Sequence, residues 1–388
     1  MPREQRSLVA IILLLVAAAM ALEIANGRFW LNDFRVYYSA ADALLHRRQV
    51  YGIPFGEDTG YFKYAPIVAI AFIPAALLPY EVAVGLHFAL IAPALIIALV
   101  RSERLLMRHV FGTYPARILL RGILALVCIA VLLSRELHLG NINLWLVAGT
   151  VLATEALLEN RNGAAGLLFG VLWLTKPYLA FMAVPLVVGL QWPVLRGAAI
   201  TIAVGLVLPL LFLGPGRWLG LHEEWIEAMA AHSGYLTSPD TFISVASRYC
   251  DTRVPVQHPR LVIVIVGLTF TALCWWHRRR SGVHDHALTL QLWTAFALVP
   301  HLVITDQEHF LFSLPLIALT LAALFHQRST AIATIFIVAM LLYATRSSDL
   351  WGPELESRWV ASGALGCGNL LLLLASWCAG KPEAPPKS

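Results

Sequence analysis

Long apolar runs dominate the chain, separated by short polar segments. A helix that crosses a membrane needs roughly 20 consecutive apolar residues. Runs near that length recur at about 8–25, 82–100, 118–134, 142–158, 163–175, 177–191, 195–213, 260–276, 286–304, 310–325, 329–344 and 361–379. The pattern predicts an all-α polytopic membrane protein, a bundle of about 12 transmembrane helices forming one integral domain over residues 1–388. Two of the runs, 163–175 and 177–191, are short and meet at Lys176-Pro177. A further run, 64–79, is brief and interrupted by Pro74, so it reads as a re-entrant or tilted half-span, which is tolerated where its backbone is buried in protein. The first run follows Arg3 and Arg6 with no small-residue cleavage site behind it, and reads as a retained anchor.

Two polar stretches are long enough to be loops of substance, 26–63 and 214–259. Within the first, Phe34, Tyr37, Tyr38, Ala41, Leu44 and Leu45 recur at helical spacing, with Arg35, Ser39, Asp42, Arg47 and Arg48 opposite. This predicts an amphipathic helix suited to the membrane interface. Placing the basic short loops and the 380–388 tail in the cytoplasm puts both large loops on the outer side. Asp33, Lys63, His138, Asn141, Asn143, Lys176, Asp306 and His309 then gather at that same face.

Composition agrees with a membrane protein. The 388 residues are 59% hydrophobic and 13% charged, with mean hydropathy +0.72, whereas soluble domains carry about 25% charged residues. The net charge of +5 is scattered over many loops, so no nucleic-acid partner is expected. The five cysteines show no paired or zinc-like spacing, and no HExxH element or glycine-rich phosphate loop occurs. No cofactor is expected, and a soluble nucleotide-sugar donor is disfavoured. Asp306 and His309 offer two metal ligands, which do not make a site; a divalent metal is left open.

The candidate chemistry begins at Asp33, just past the first span. It reads either as a helix N-cap or as a general base placed to take a proton from an acceptor hydroxyl. Lys63 sits between aromatic neighbours in Tyr61-Phe62-Lys63-Tyr64, where aromatics ordinarily serve as an interfacial belt. Asn141 and Asn143 read as a polar helix start or as sugar and phosphate contacts. Lys176, between two apolar runs, either snorkels to the surface or pairs with a phosphate. Arg248 is a candidate phosphate fork or an ion-pair partner of Asp251. Asp306 and His309 lie in a dense polar turn that is either solvated or part of the same outer mouth.

In this order the elements resemble GT-C class membrane glycosyltransferases, and within them glycosyltransferase family 87, the polyprenyl-phosphate-mannose-dependent alpha-mannosyltransferases. An Asp is followed by Tyr37-Tyr38 and Ala40-Ala41. Then come Val50-Tyr51, Tyr64-Ala65-Pro66, Gly140-Asn141-Ile142-Asn143, Lys176-Pro177, and a polar turn before Leu314-Pro315. Asn141 departs from the family pattern, which has Gln there, and 243–248 matches only loosely. The resemblance implies a GT-C-like bundle and inverting transfer of a sugar, mannose, from a polyprenyl phosphate to a lipid or glycan acceptor. Asp33 would be the base. Lys63, Lys176, Arg248 and His309 would bind the donor phosphate, with Tyr37, Tyr64, Asn141, Asn143 and Asp306 contacting substrate. It also implies partners among membrane lipids and an active site facing the periplasm from a bacterial inner membrane. A polyprenyl-linked sugar transporter or flippase is the alternative. Transporters place ionisable groups near the midplane in repeated halves, whereas here the midplane is nearly bare apart from His87 and no repeat is visible. A non-catalytic partner subunit is a third reading, which survives if the Asp33 cluster does not converge in space.

Overall fold

Helix is the regular structure of the described residues, relieved by an isolated bridge between Pro54 and Tyr61. The computed structural model describes residues 2–55, 60–112, 117–231, 238–250, 258–280, 284–302, 306–327 and 329–379. The chain opens with α1 (Arg3–Ala25), α2 (Asn32–Leu45), α3 (Pro66–Ala71), α4 (Ile73–Ala76) and the long α5 (Tyr80–Phe111). Next come α6 (Ile118–Cys128), α7 (Ala130–Leu139), α8 (Asn143–Leu158), α9 (Asn162–Thr175) and α10 (Pro177–Val188). After α11 (Trp192–Leu213), α12 (Pro215–Ala231) and α13 (Phe242–Tyr249) follow α14 (Pro259–Arg280) and α15 (His284–Leu302). The last are α16 (Gln307–Gln327), α17 (Thr330–Ala344), α18 (Leu350–Ser362) and α19 (Ala364–Ala379).

Among the described residues, five helices are long and apolar enough to cross a membrane: α1, α5, α11, α14 and α16. The number rises to seven if the bent pairs α6–α7 (68°) and α18–α19 (53°) each count as one span. The protein is therefore an integral membrane protein, with fewer full-length spans than the dozen its apolar runs suggest. Short helices, bends and prolines account for the difference. The 64–79 run breaks into α3 and α4, opened by Pro66 and containing Pro74. Lys176, which precedes Pro177, is extended (φ −130°, ψ 97°) and ends α9, since proline disfavours helical backbone in the residue before it. The apolar α8 has 16 residues, about 24 Å of helix, short of the ~30 Å hydrocarbon core.

The bundle has a centre and a periphery. The apolar window of α16 is 83% buried in protein, against 11% for α14, 17% for α1 and 22% for α11. The apolar outer faces of those three helices are therefore left for lipid. α15 is buried from His286 to Leu302, so its polar groups face neighbouring helices; Gln291 donates to the Cys274 carbonyl at 2.9 Å. α2 packs its apolar face into the protein, burying Phe34, Val36, Tyr37, Ala40, Ala41, Ala43 and Leu44, while Leu45 is exposed.

One corner fixes where α2 begins. α7 ends at Gly140 with φ +65°, and a Cβ there would lie 2.8 Å from Leu31 Cβ and 3.2 Å from Phe34 Cβ. Leu31, the residue before α2, itself has left-handed backbone (φ 45°, ψ 77°), a conformation uncommon for a side chain of its size. His87 Nε2 lies 2.8 Å from the Gly140 carbonyl, and its ring stacks on Phe34 at 4.3 Å. The contact sets Asp33 beside Asn141. Gly140→Ala should lower stability by on the order of 1–3 kcal/mol, seen as a lower thermal midpoint in detergent. Gly27→Ala shares the positive φ but has open space around it, and should lose less. Equal losses would show that the Leu31 contact carries no weight.

Candidate active site

The start of α2, the 60–64 segment, the α7–α8 corner, the α9–α10 break, α12 and the start of α16 enclose a cavity of about 300 Å³. That is the lower end of the range for small-molecule sites, roughly 300–1,000 Å³. α2 contributes Asp33 and Tyr37, the 60–64 segment Tyr61, Lys63 and Tyr64, and the corner Arg135 and Asn141. The helix break adds Lys176 and Tyr178, α12 adds Met229, and α16 with its cap adds Asp306, Glu308 and His309.

One chain of hydrogen bonds holds the carboxylate. Asn141 Nδ2 donates to Asp33 Oδ2 at 2.6 Å, while its Oδ1 accepts from Tyr37 Oη (3.0 Å) and the Ile142 N–H (2.7 Å). Because the Tyr37 hydroxyl proton is committed to Asn141, Tyr64 Oη, 3.0 Å away, is the donor to Tyr37. Each member polarises the next.

A second chain holds the cation. Glu136, fully buried, accepts from Asn143 Nδ2 (2.9 Å) and the Leu144 N–H (3.1 Å). Lys176 Nζ donates to Asn143 Oδ1 at 2.8 Å, so one amide joins a buried acid to a buried ammonium. Lys176 also lies within 6.0 Å of the ring centres of Tyr64, Tyr178 and Phe312, a range in which ring faces attract a cation. His309 is oriented by a reciprocal cap: its Nδ1 accepts from the Asp306 N–H at 3.2 Å, and the Asp306 side chain accepts from the His309 N–H. His309 Nε2 lies 3.0 Å from Tyr178 Oη and 2.8 Å from Lys176 Nζ. A third contact pairs Arg135 Nε with the buried Glu308.

Electrostatics separate Asp33 from an ordinary surface acid. Its pKa is raised to about 6, by burial first and then by Glu308 and Asp306, while Lys176 and the Asn141 hydrogen bond pull it down. Burial lowers the Lys63 ammonium, opposed by Asp306 and Asp33.

Of the residues expected at the site, Asp33, Tyr37, Lys63, Tyr64, Asn141, Lys176, Asp306 and His309 line this one cavity. Asn143 is buried behind it, joining Glu136 to Lys176. Arg248 does not join them. It is exposed on α13, beside Asp240 and close to Gly363, and Asp240 bonds Arg346 at 3.0 Å. His138 turns away to Glu23 Oε2 at 3.0 Å. The second large loop reaches the cavity through α12, where Met229 lines the wall and Trp225 Nε1 donates to the Lys63 carbonyl at 3.1 Å. His232, Tyr235, Asp251, Thr305, Arg328, Lys381 and Lys387 lie outside the described residues. Sequence reasoning passed over Arg135, Glu136, Tyr178 and Glu308 as site residues. The signal for the first two was an acid and a base side by side directly after an apolar run, ahead of Gly140. Among the described residues no three His, Cys, Asp or Glu side chains converge as metal ligands.

The sequence model of glycosyltransferase family 87 matches residues 62–305, well over half of the 388. The chain belongs to glycosyltransferase family 87. No curated protein and no solved structure matches it. As a family 87 member it is a membrane glycosyltransferase. The matched segment carries Lys63, Tyr64, Asn141 and Lys176; Asp33 lies before it and Asp306 to His309 after it. The geometry joins all three parts in one cavity.

The charges around Asp33 can be tested directly. Infrared titration of its carboxylate should give a midpoint near 6. Glu308→Gln should lower that midpoint, because a like charge is removed, and Asn141→Leu should raise it, because a hydrogen bond to the ionised form is lost. An unmoved midpoint in both variants would refute this account of the site.

Proposed function

We propose that this glycosyltransferase moves a sugar, mannose, from a polyprenyl phosphate to a hydroxyl of a lipid or glycan acceptor, by a single inverting displacement. The reaction would take place at the periplasmic face of a bacterial inner membrane. The observation that carries the reading is the shared cavity, with a carboxylate of raised pKa on α2 and a Lys176–His309 nitrogen pair on other elements. A base with a pKa near the working pH combines a large ionised fraction with useful basicity.

In the proposed step, Asp33 takes the acceptor hydroxyl proton as the acceptor oxygen bonds the anomeric carbon. The bond from that carbon to the phosphate oxygen breaks, and its electron pair leaves with the polyprenyl phosphate. Attack opposite the leaving group inverts the anomeric centre. Lys176 Nζ presents ammonium N–H groups to the departing phosphate, with His309 Nε2 2.8 Å from it and Lys63 at the same cavity. Preorganised donors of this kind act most strongly on charge that develops in the transition state. The Tyr64–Tyr37–Asn141 chain holds the base in place.

The first test is transfer of radiolabelled mannose from polyprenyl phosphate mannose to a membrane lipid extract. Asp33→Asn should reduce transfer by about 10²–10⁴-fold, and Lys176→Met by on the order of 10²-fold, while Arg248→Ala keeps wild-type transfer. Because the ionised form is the base, wild-type kcat/KM should rise with pH and level off above about 6. Normal transfer by Asp33→Asn would end the base assignment. Transfer of another polyprenyl-linked sugar in place of mannose would overturn the donor and keep the chemistry.

A further inference from the structure

A second cavity, about 650 Å³ in volume, lies at the ends of α1, α5 and α8 that are remote from the Gly140 corner. It forms where the first turn of α1, the end of α5, the start of α6 and the end of α8 meet, bringing together Gln5, Arg101, Ile118 and Glu155. α1 measures the separation. Gln5 lines this cavity, whereas Glu23, about 27 Å further along the helix, bonds His138 next to the Gly140 corner.

The wall of this cavity is rich in arginine. Of the lining arginines, Arg101 bonds Glu155 at 3.1 Å and Arg108 bonds Glu159 at 2.7 Å, both acids lining the cavity with Glu103. Outside the lining, Arg161 also bonds Glu159 at 2.7 Å and Arg121 is buried against Glu103. Arg104 differs: it donates to the neutral side-chain oxygen of Gln5 at 2.9 Å. His109 lines the same cavity with Nδ1 3.5 Å from Asp285, and its buried Nε2 has no hydrogen-bond partner among the described residues. A buried polar atom left in that state is costly. The backbone is also unusual here. α5 turns π-helical over Ile97–Arg101 and again over Leu106–Phe111, the segments that carry Arg101, Arg108 and His109. Such wide turns within helices are frequent at functional sites. Arg101 and Arg108 are 44% and 71% exposed, so the cavity can be reached.

We propose that this cavity binds a phosphate group, with Arg104, Arg108 and the His109 ring as its donors. The guanidinium fork matches phosphate oxygens in pairs, and basic pockets between membrane helices take lipid head groups. An anionic phospholipid and a soluble phosphate share this chemistry. The site is independent of the Asp33 cavity and of the reaction proposed there.

The test uses the full chain in a non-ionic detergent, with thermal unfolding followed during three titrations. The probes are short-chain phosphatidylglycerol, inorganic phosphate, and short-chain phosphatidylcholine as the zwitterionic control. A saturable rise in midpoint with phosphatidylglycerol alone supports a lipid head group. An equal rise with inorganic phosphate supports a soluble phosphate. In either case Arg104→Gln should weaken apparent affinity about tenfold or more, the loss expected for one charge-assisted contact, and Arg104→Lys should recover part of it. If Arg104→Gln does not fold, His109→Phe serves as the second variant, with the same weakening expected. The proposal is overturned if no anionic probe raises the midpoint above phosphatidylcholine, or if the rise is unchanged in the folded variants.

Discussion

Lys176 carries its charge into the interior at the break between α9 and α10, and an unpaired ion there would cost several kcal/mol. The surroundings answer that cost in a definite order. Asn143 Oδ1 accepts a hydrogen bond from the ammonium and its Nδ2 donates one to Glu136, so the two groups are joined through a neutral amide. Three aromatic rings supply the remaining wall. Arg135 on α7 and the buried Glu308 on α16 pair directly. With these demands met inside the protein, the ammonium borders the cavity.

The same region concentrates the irregular backbone. α9 stops at an extended residue before proline, α3 and α4 are fragments, and the α7–α8 corner needs a glycine against a left-handed leucine. Broken backbone at membrane depth is tolerated only where protein or a water-lined cavity satisfies it. Here the breaks surround one cavity, so they set its shape. The lipid-facing helices α1, α11 and α14 are long and regular, as a helix in contact with hydrocarbon must be.

The two cavities are handled by different electrostatics. Around Asp33 acids and bases are buried, and burial together with neighbouring carboxylates raises the acid toward neutrality. At the far end exposed arginines are matched with the buried Glu155 and the partly buried Glu159, and solvent at the arginine side weakens each pair. The first arrangement buries an acid with a raised pKa; the second leaves arginines at the surface.

Much of this was legible from residue order. Apolar runs establish a helical membrane protein because each residue's preference for lipid is local. Asp33 after the first span, Lys176-Pro177 between two runs, and the 305–309 turn stand out because polar groups beside apolar spans need a reason. The resemblance to family 87 rests on the same local elements. Convergence was not legible: that residues as distant as 33, 141, 176 and 309 share one cavity, and that Arg248 does not, depends on how α2, α7, α9 and α16 cross. Nor could the runs reveal how many are full spans, since apolar character is a sum over residues while a span requires an unbroken axis, which proline and the α6–α7 bend remove. Asn143 shows the division most clearly. The chain places it at a helix start, but only the packing of α7 against the α9–α10 break makes it the bridge between Glu136 and Lys176, because pairing of buried charge is decided by neighbours in space.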